Sequence, residues 1–247
     1  EQKRAEQTLI GTKSLLERTF ASLSDALLVI DPRTREIVSC NPATEKLFGY
    51  SEDEIIGNNV KILHRNQSAY EEIGRQLYPV LDKDGEFHAE YSMRRKDGEI
   101  FDTEITVTEI LDKAGTRVGV ISIIRDITER KRFEELFKKI VENSPNSIIL
   151  KDLEGRILLA NRRTEEFIGH PARDLIGKTP HDLFPKDHAE RTVAADRDVV
   201  RTGEAHTEEW AVDFADGAPI HLLATRFPVT DADGTIIGVG TISVDIS

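Results

Sequence analysis

The sequence predicts an α+β fold built twice over: two copies of one domain, each with two short strands, a group of short helices and three long antiparallel strands, joined by a linker helix. Three observations carry this. A set of residues returns after about 120 positions, the middle of each copy has helical composition, and the last third of each copy alternates apolar and polar residues with the period of a half-buried strand. In the repeat, Asn41, Thr44, Glu45, Gly49, Ile56 and Gly57 return as Asn161, Thr164, Glu165, Gly169, Ile176 and Gly177. Asp97, Gly98, Asp112, Gly115, Gly119, Val120 and Asp126 return as Asp216, Gly217, Asp231, Gly234, Gly238, Val239 and Asp245. A unit of about 110 residues is far longer than a solenoid repeat, so a complete domain stands in tandem. The expected divisions are an N-terminal helix at 1–19, a first domain at 20–128, a linker helix at 129–144 and a second domain at 145–247.

Each element has a local reason. Residues 26–31 and 36–40 are short β-branched runs separated by Pro32-Arg33-Thr34-Arg35, which suits a hairpin. Residues 42–48, 53–56 and 67–81 read as helices; Asn41 before Pro42 is an N-cap before an N1 proline, and Gly49 stands where a C-cap glycine belongs. Phe87, Ala89, Tyr91 and Met93 then alternate with polar neighbours, as do Phe101, Thr103, Ile105 and Val107, with the turn signal Asp97-Gly98 between the two runs. A further strand follows Gly115 and ends at Asp126. The apolar face of these strands must be buried against the helices. Outside the domains, Leu9, Leu16 and Leu23 are seven apart, and Phe133, Leu136, Phe137, Ile140 and Val141 keep a 3,4 spacing. Two readings stay open for these helices: pairing with a second copy, or packing on their own sheet.

Composition narrows the function. With 247 residues, 38% apolar and 32% charged, the chain has the makings of a packed core, and we expect an excised soluble fragment. Its net charge of −12, without a dense basic block, argues against nucleic acid or an anionic membrane as partner. The single cysteine, Cys40, allows no internal disulfide and no thiolate zinc cage, which accords with a cytoplasmic location. No apolar run approaches the roughly 20 residues of a membrane helix. Five of the seven histidines lie in the second copy, but their spacing matches no common zinc signature, so no metal is expected.

The ordered set Asn41-Pro42-Ala43, Phe48-Gly49-Tyr50, Ile55-Ile56-Gly57, Arg94 to Gly98 and Asp126-Ile127-Thr128, with its second-copy counterparts ending at Asp245-Ile246-Ser247, resembles a tandem of PAS domains. These are the sensory modules that precede histidine kinases, diguanylate cyclases and similar outputs in bacterial-type signal transduction. The resemblance covers nearly the whole chain. It implies a five-stranded antiparallel sheet curved around a pocket, and coupling of the last strand to the following helix through Asp126, Thr128 and Asp245. The carboxylate of Asp126 is placed to cap the helix start or to bind a neighbouring cation.

Known pockets of that family can be tested against the residues. A photoactive flavin adduct is excluded, because Val60 and Pro180 stand where the reactive cysteine would be. Of Met93, Thr103 and Ile124, the positions facing a flavin edge, only Thr103 can hydrogen-bond, which leaves a non-photochemical flavin as an open option. Haem is disfavoured because residues 67–81 hold no histidine and His188 sits only in the first turn of the corresponding second-copy helix. Tyr91, Thr103, Trp210 and Arg226 are the candidate pocket residues. Strand alternation turns Trp210, Val212, Phe214, Leu222, Ala224 and Arg226 inward, and an inward arginine requires either an internal carboxylate, with Asp245 the suggested partner, or an acidic ligand.

No catalytic constellation rises above chance, so the fragment itself is expected to be non-catalytic. The expected function is a regulatory sensor: a small molecule binds one or both pockets, and the change passes through helical linkers in a homodimer to an output domain beyond this sequence. The alternative is a ligand-free scaffold for dimerisation and partner docking.

Overall fold

In the computed structural model the chain divides into two units, Glu1–Phe133 and Glu134–Ser247. The structure describes residues 11, 12, 14, 15, 18–212 and 220–247. Leu9, Leu16, Phe214 and the Asp216-Gly217 turn lie outside the described residues, as does the side chain of Val212, and so does most of the expected helix at 1–19.

The first unit holds strands β1 (Ala26–Ile30) and β2 (Ile37–Cys40), helices α1 (Pro42–Phe48) and α2 (Glu52–Ile55), a 3-10 turn at Val60–Leu63, helix α3 (Gln67–Asp84), and strands β3 (Glu86–Arg94), β4 (Ile100–Leu111) and β5 (Arg117–Asp126). All pairs are antiparallel and the sheet order is β2-β1-β5-β4-β3. Helix α4 (Thr128–Glu142) follows. The second unit repeats the plan: β6 (Ser147–Asp152), β7 (Ile157–Ala160), α5 (Arg162–Ile168), α6 (Ala172–Leu175), α7 (Pro180–Leu183), α8 (Lys186–Thr202), β8 (His206–Val212), β9 (Ile220–Thr230) and β10 (Ile236–Asp245), in sheet order β7-β6-β10-β9-β8. Helix α3 runs three residues past the predicted Leu81, to Asp84, where the left-handed conformation of Gly85 (φ 74°) ends it. Helix α2 begins one residue before the predicted start because Ser51 and Glu54 form a capping box.

One side chain fixes the joint between sheet and helices in each unit. The side-chain oxygen of Asn41 accepts from the backbone N–H groups of Leu27 (2.9 Å) and Thr44 (3.2 Å), while its amide donates to the carbonyl of Asp25 (3.0 Å). Asn161 does the same with Ile148, Thr164 and Asn146, and also donates to the carbonyl of Val141 at 2.9 Å, tying the end of α4 to the second sheet. Both asparagines are fully buried, so each replaces water for several backbone groups at once. The first core packs Leu28, Ile37, Phe48, Ile55, Leu63, Leu81 and Ile124 between sheet and helices, with the rings of Phe48 and Phe101 edge-on at 5.7 Å. In the second unit, Gly238 has to be glycine: a Cβ there would stand 2.2 Å from the carbonyl oxygen of Lys151 on the neighbouring strand.

Candidate functional site: two cavities of unlike chemistry

Each unit encloses a cavity between the inner face of its sheet and its helices. The first, of about 80 Å³, is walled mainly by apolar side chains such as Ile73, Leu77, Met93, Ile105 and Val107. Its polar feature is a pair that the sequence reading missed: the imidazole of His64, on the 3-10 turn, lies 3.0 Å by Nδ1 from the hydroxyl of Tyr91. Burial lowers the pKa of His64 to about 4, so the ring is neutral at neutral pH. Tyr91 lines the cavity. Thr103 does not; its hydroxyl is spent on the carbonyl of Tyr91 at 2.6 Å. At the rim, the guanidinium of Arg35 lies over the rings of Tyr70 and Tyr78.

The second cavity, of about 100 Å³, is ionic. Trp210 and Arg226 line it together with Lys151, His188, Thr241 and the smaller polar residues Ser147, Thr192 and Ser243, beside apolar residues such as Phe167 and Leu222. Arg226 is 3% exposed, but its partner is not Asp245. Its Nη1 donates to Glu208 at 2.6 Å and its Nε lies 3.3 Å from Asp196, whose other oxygen accepts from Nζ of Lys151. The suggested Asp245 pairing fails because Asp245 sits at the end of β10, beside Arg163 (3.6 Å), while α8 brings Asp196 over the sheet. Burial drives the pKa of Lys151 down against the pull of Asp196. Burial also raises that of Glu208, but Trp210, Arg191 and Arg226 outweigh it and keep the carboxylate below its usual range. Both Arg191 and Arg226 lie over the Trp210 ring, at 4.3 and 4.7 Å. His188 stacks on Phe184 and is kept neutral by burial and by the two arginines.

The alternation that turned Trp210 inward would have found Glu208 if carried two residues back; Lys151 and Asp196 need the fold itself. The repeat explains how the two cavities part company. Leu27 and Ile148 hold equivalent bonds to Asn41 and Asn161, the matching asparagines of their units, so Ile30 matches Lys151. Pairing of Tyr91 with Thr103 and of Trp210 with Leu222 matches Ala89 to Glu208 and Val107 to Arg226. Two wall positions that are apolar in the first unit, Ile30 and Val107, are charged in the second, and so is the position of Ala89, which stands outside the lining in both units.

The relay candidates sit where each sheet ends. The carboxylate of Asp126 accepts from the backbone N–H of Thr128 (2.9 Å) and from Arg95 (2.7 Å), and the backbone N–H of Asp102 donates to the Thr128 hydroxyl at 3.2 Å. Burial pushes the Asp126 pKa up, yet those bonds prevail and hold it below the carboxylate range. Asp245 accepts from the N–H of Ser247 at 3.1 Å, and Ser247 in turn receives the N–H of His221 at 3.0 Å. Arg95 also donates to the carbonyl of Leu47 and covers the Phe101 ring at 3.8 Å, linking the joint to α1.

Among the described residues, no cluster of three His, Cys, Asp or Glu side chains is placed to hold a metal, and no helix is long and apolar enough to cross a membrane. Residues 24–129 match a family model described as PAS domain, and residues 141–247 match one described as PAS fold. The chain is similar to the sensor protein TdiS of Thauera aromatica, 26% identical over 209 residues, covering 65% of this chain and 38% of that protein. It is similar to the oxygen sensor protein DosP of Escherichia coli, 27% identical over 199 residues, with 68% and 24% covered. The biofilm dispersion protein BdlA of Pseudomonas aeruginosa is 26% identical over 215 residues, with 85% and 51% covered. The chain thus spans from about a quarter to a half of the length of these relatives. A solved PAS domain from Colwellia psychrerythraea shares 30% identity at a TM-score of 0.46, covering 48% of this chain and 99% of that one.

Proposed function

From its membership of the PAS family, as two PAS domains in tandem, we propose that this chain is the sensing part of a signal-transduction protein, taking a small molecule into one or both cavities and passing the change along α4. One observation carries the reading: each sheet that walls a cavity ends in an Asp whose carboxylate caps the backbone two residues on, so a shift of the sheet moves the start of the following segment. The relatives named above include sensor proteins, which supports the same reading. Native mass spectrometry of the purified chain, with an absorption spectrum of the same sample, tests it. Added mass at one equivalent per chain supports a sensor; bare mass under all conditions would favour a docking scaffold. For the relay, we expect Asp126→Ala to quicken amide hydrogen exchange in Thr128–Glu142 while exchange in both sheets stays unchanged, and unaltered exchange in that helix would sink the relay role.

The homodimer belongs to the same proposal. On α4 the side chains of Phe133, Leu136, Phe137 and Ile140 are between 53% and 69% exposed, an apolar stripe with the spacing by which helices pair. A second copy offers the matching stripe. Phe137→Asp is expected to convert a dimer into monomers in sedimentation velocity without lowering the melting temperature of either sheet; a monomeric parent chain would contradict the pairing.

A further inference from the structure

We propose, building on the sensor reading, that the second cavity is a receptor for a small monocarboxylate with an apolar body. The wall chemistry makes the case. Lys151, Arg226 and Trp210 line the second cavity, but none of its described lining residues is acidic; Asp196 and Glu208 stand behind the cations and outside the lining. The interior therefore sees donors while the compensating charge lies at its back. Among the described residues, Lys151, Arg226 and Arg191 pair with the two carboxylates Asp196 and Glu208, so three cations share two anions there. One anion closes that balance.

Unused donors point the same way. Among the described residues, the hydroxyl of Thr241 has no hydrogen-bond partner although Thr241 is 7% exposed, and Nε of Arg226 has none of good geometry at 3% exposure. The indole N–H of Trp210, at 5% exposure, lies against Glu208 without a well-aligned bond. Thr241 and Arg226 face each other on adjacent strands, so a carboxylate between them meets the guanidinium and the hydroxyl together. Beside Ser147, Thr192 and Ser243, the rest of the wall is apolar, with Phe167, Ile168 and Leu222 among it, and that part takes a hydrocarbon body. Space of about 10–15 Å³ admits one water, so a cavity of about 100 Å³ admits a small organic ion. In the first unit the positions matching Lys151, Glu208 and Arg226 are Ile30, Ala89 and Val107, and the buried polar pair there, His64 with Tyr91, is uncharged.

The test is isothermal titration of the full chain with acetate, propanoate, 2-methylpropanoate and benzoate, each against its primary amide, at fixed ionic strength. We expect one equivalent of a branched or aromatic acid to bind at least tenfold tighter than its amide. Thr241→Val should weaken that acid at least fivefold while raising the melting temperature, because it removes a buried hydroxyl that only the ligand would satisfy; a purely structural threonine would give the opposite thermal result. The variant Lys151→Ile, Asp196→Leu, Glu208→Ala, Arg226→Val, which gives the wall the character of the first unit, should stay folded and lose the acid more than tenfold. Amides binding as tightly as acids would overturn the anion assignment and leave the sensor reading intact. If none of the pairs binds, the assignment falls; bare mass in the native spectrum would then remove the sensor reading as well.

Discussion

Asp196→Ala should destabilise the second domain by about 3–5 kcal/mol, the range found when one partner of a buried ion pair is removed. The residue accepts from Lys151 and lies beside Nε of Arg226, and these cations are 4% and 3% exposed. Without it Lys151 is left in a low-dielectric wall with no carboxylate at hydrogen-bond distance among the described residues, while Arg226 keeps Glu208. Lysine can shed its proton there and arginine cannot, which gives the variant a pH signature. With its pKa already driven down by burial, Lys151 in the folded variant binds fewer protons than in the unfolded chain, so stability rises with pH towards the ordinary lysine pKa. The deficit should therefore be smaller at pH 9 than at pH 7. Urea unfolding followed by the chain's single tryptophan, Trp210, reports this domain alone. A loss below about 1 kcal/mol would mean that water reaches the cluster and screens it.

The first domain should lose about 3 kcal/mol of stability between pH 6.5 and pH 4 through His64 alone. The sign follows from proton counts: the folded ring has a pKa of about 4, the unfolded one the ordinary 6.5, so over that interval the unfolded state holds the extra proton and stability falls as pH falls. Desolvation is the cause, which makes the effect a property of the closed cavity. All four tyrosines, Tyr50, Tyr70, Tyr78 and Tyr91, lie in the first domain, so their near-ultraviolet signal follows it separately from Trp210. In His64→Gln the slope over this interval should flatten, since the side chain keeps a polar atom near Tyr91 but does not titrate. An unchanged slope in that variant would assign the pH dependence to other groups.

What was legible in the sequence is what depends on neighbours along the chain. Asn41 reads as a cap because an N-cap needs only its own residue and the three after it, and Asn161, its counterpart in the repeat, caps its helix in the same way. Strand alternation placed Trp210, Leu222, Ala224 and Arg226 inside, and all four are buried. The partner of Arg226 was not legible: Asp196 is 30 residues away in sequence, on a helix where an acidic residue reads as solvated. Lys151 was hidden in a short strand whose end resembles the start of a turn, and His64 sits on a 3-10 turn that has no hydrophobic period to betray a buried ring. The second bonds of Asn41 and Asn161, to strand and preceding helix, are likewise invisible locally.

The matched walls of the two units also constrain the order in which such a pair can diverge. Any series of single replacements that turns Ile30, Ala89 and Val107 chemistry into Lys151, Glu208 and Arg226 chemistry passes through a wall with an odd charge, at a cost of about 3–5 kcal/mol against a whole-domain stability of about 5–15 kcal/mol. The gentlest route starts where water still reaches. The side chain of Glu208 is 21% exposed, that of Asp196 12%, those of Lys151 and Arg226 only 6% and 4%. Carboxylates first, then the cations that neutralise them, keeps each step soluble in this sense; the reverse order strands a guanidinium. Reconstructed intermediates along the two orders should differ in whether they fold, which makes the history of this wall a matter of historical contingency that the bench can replay.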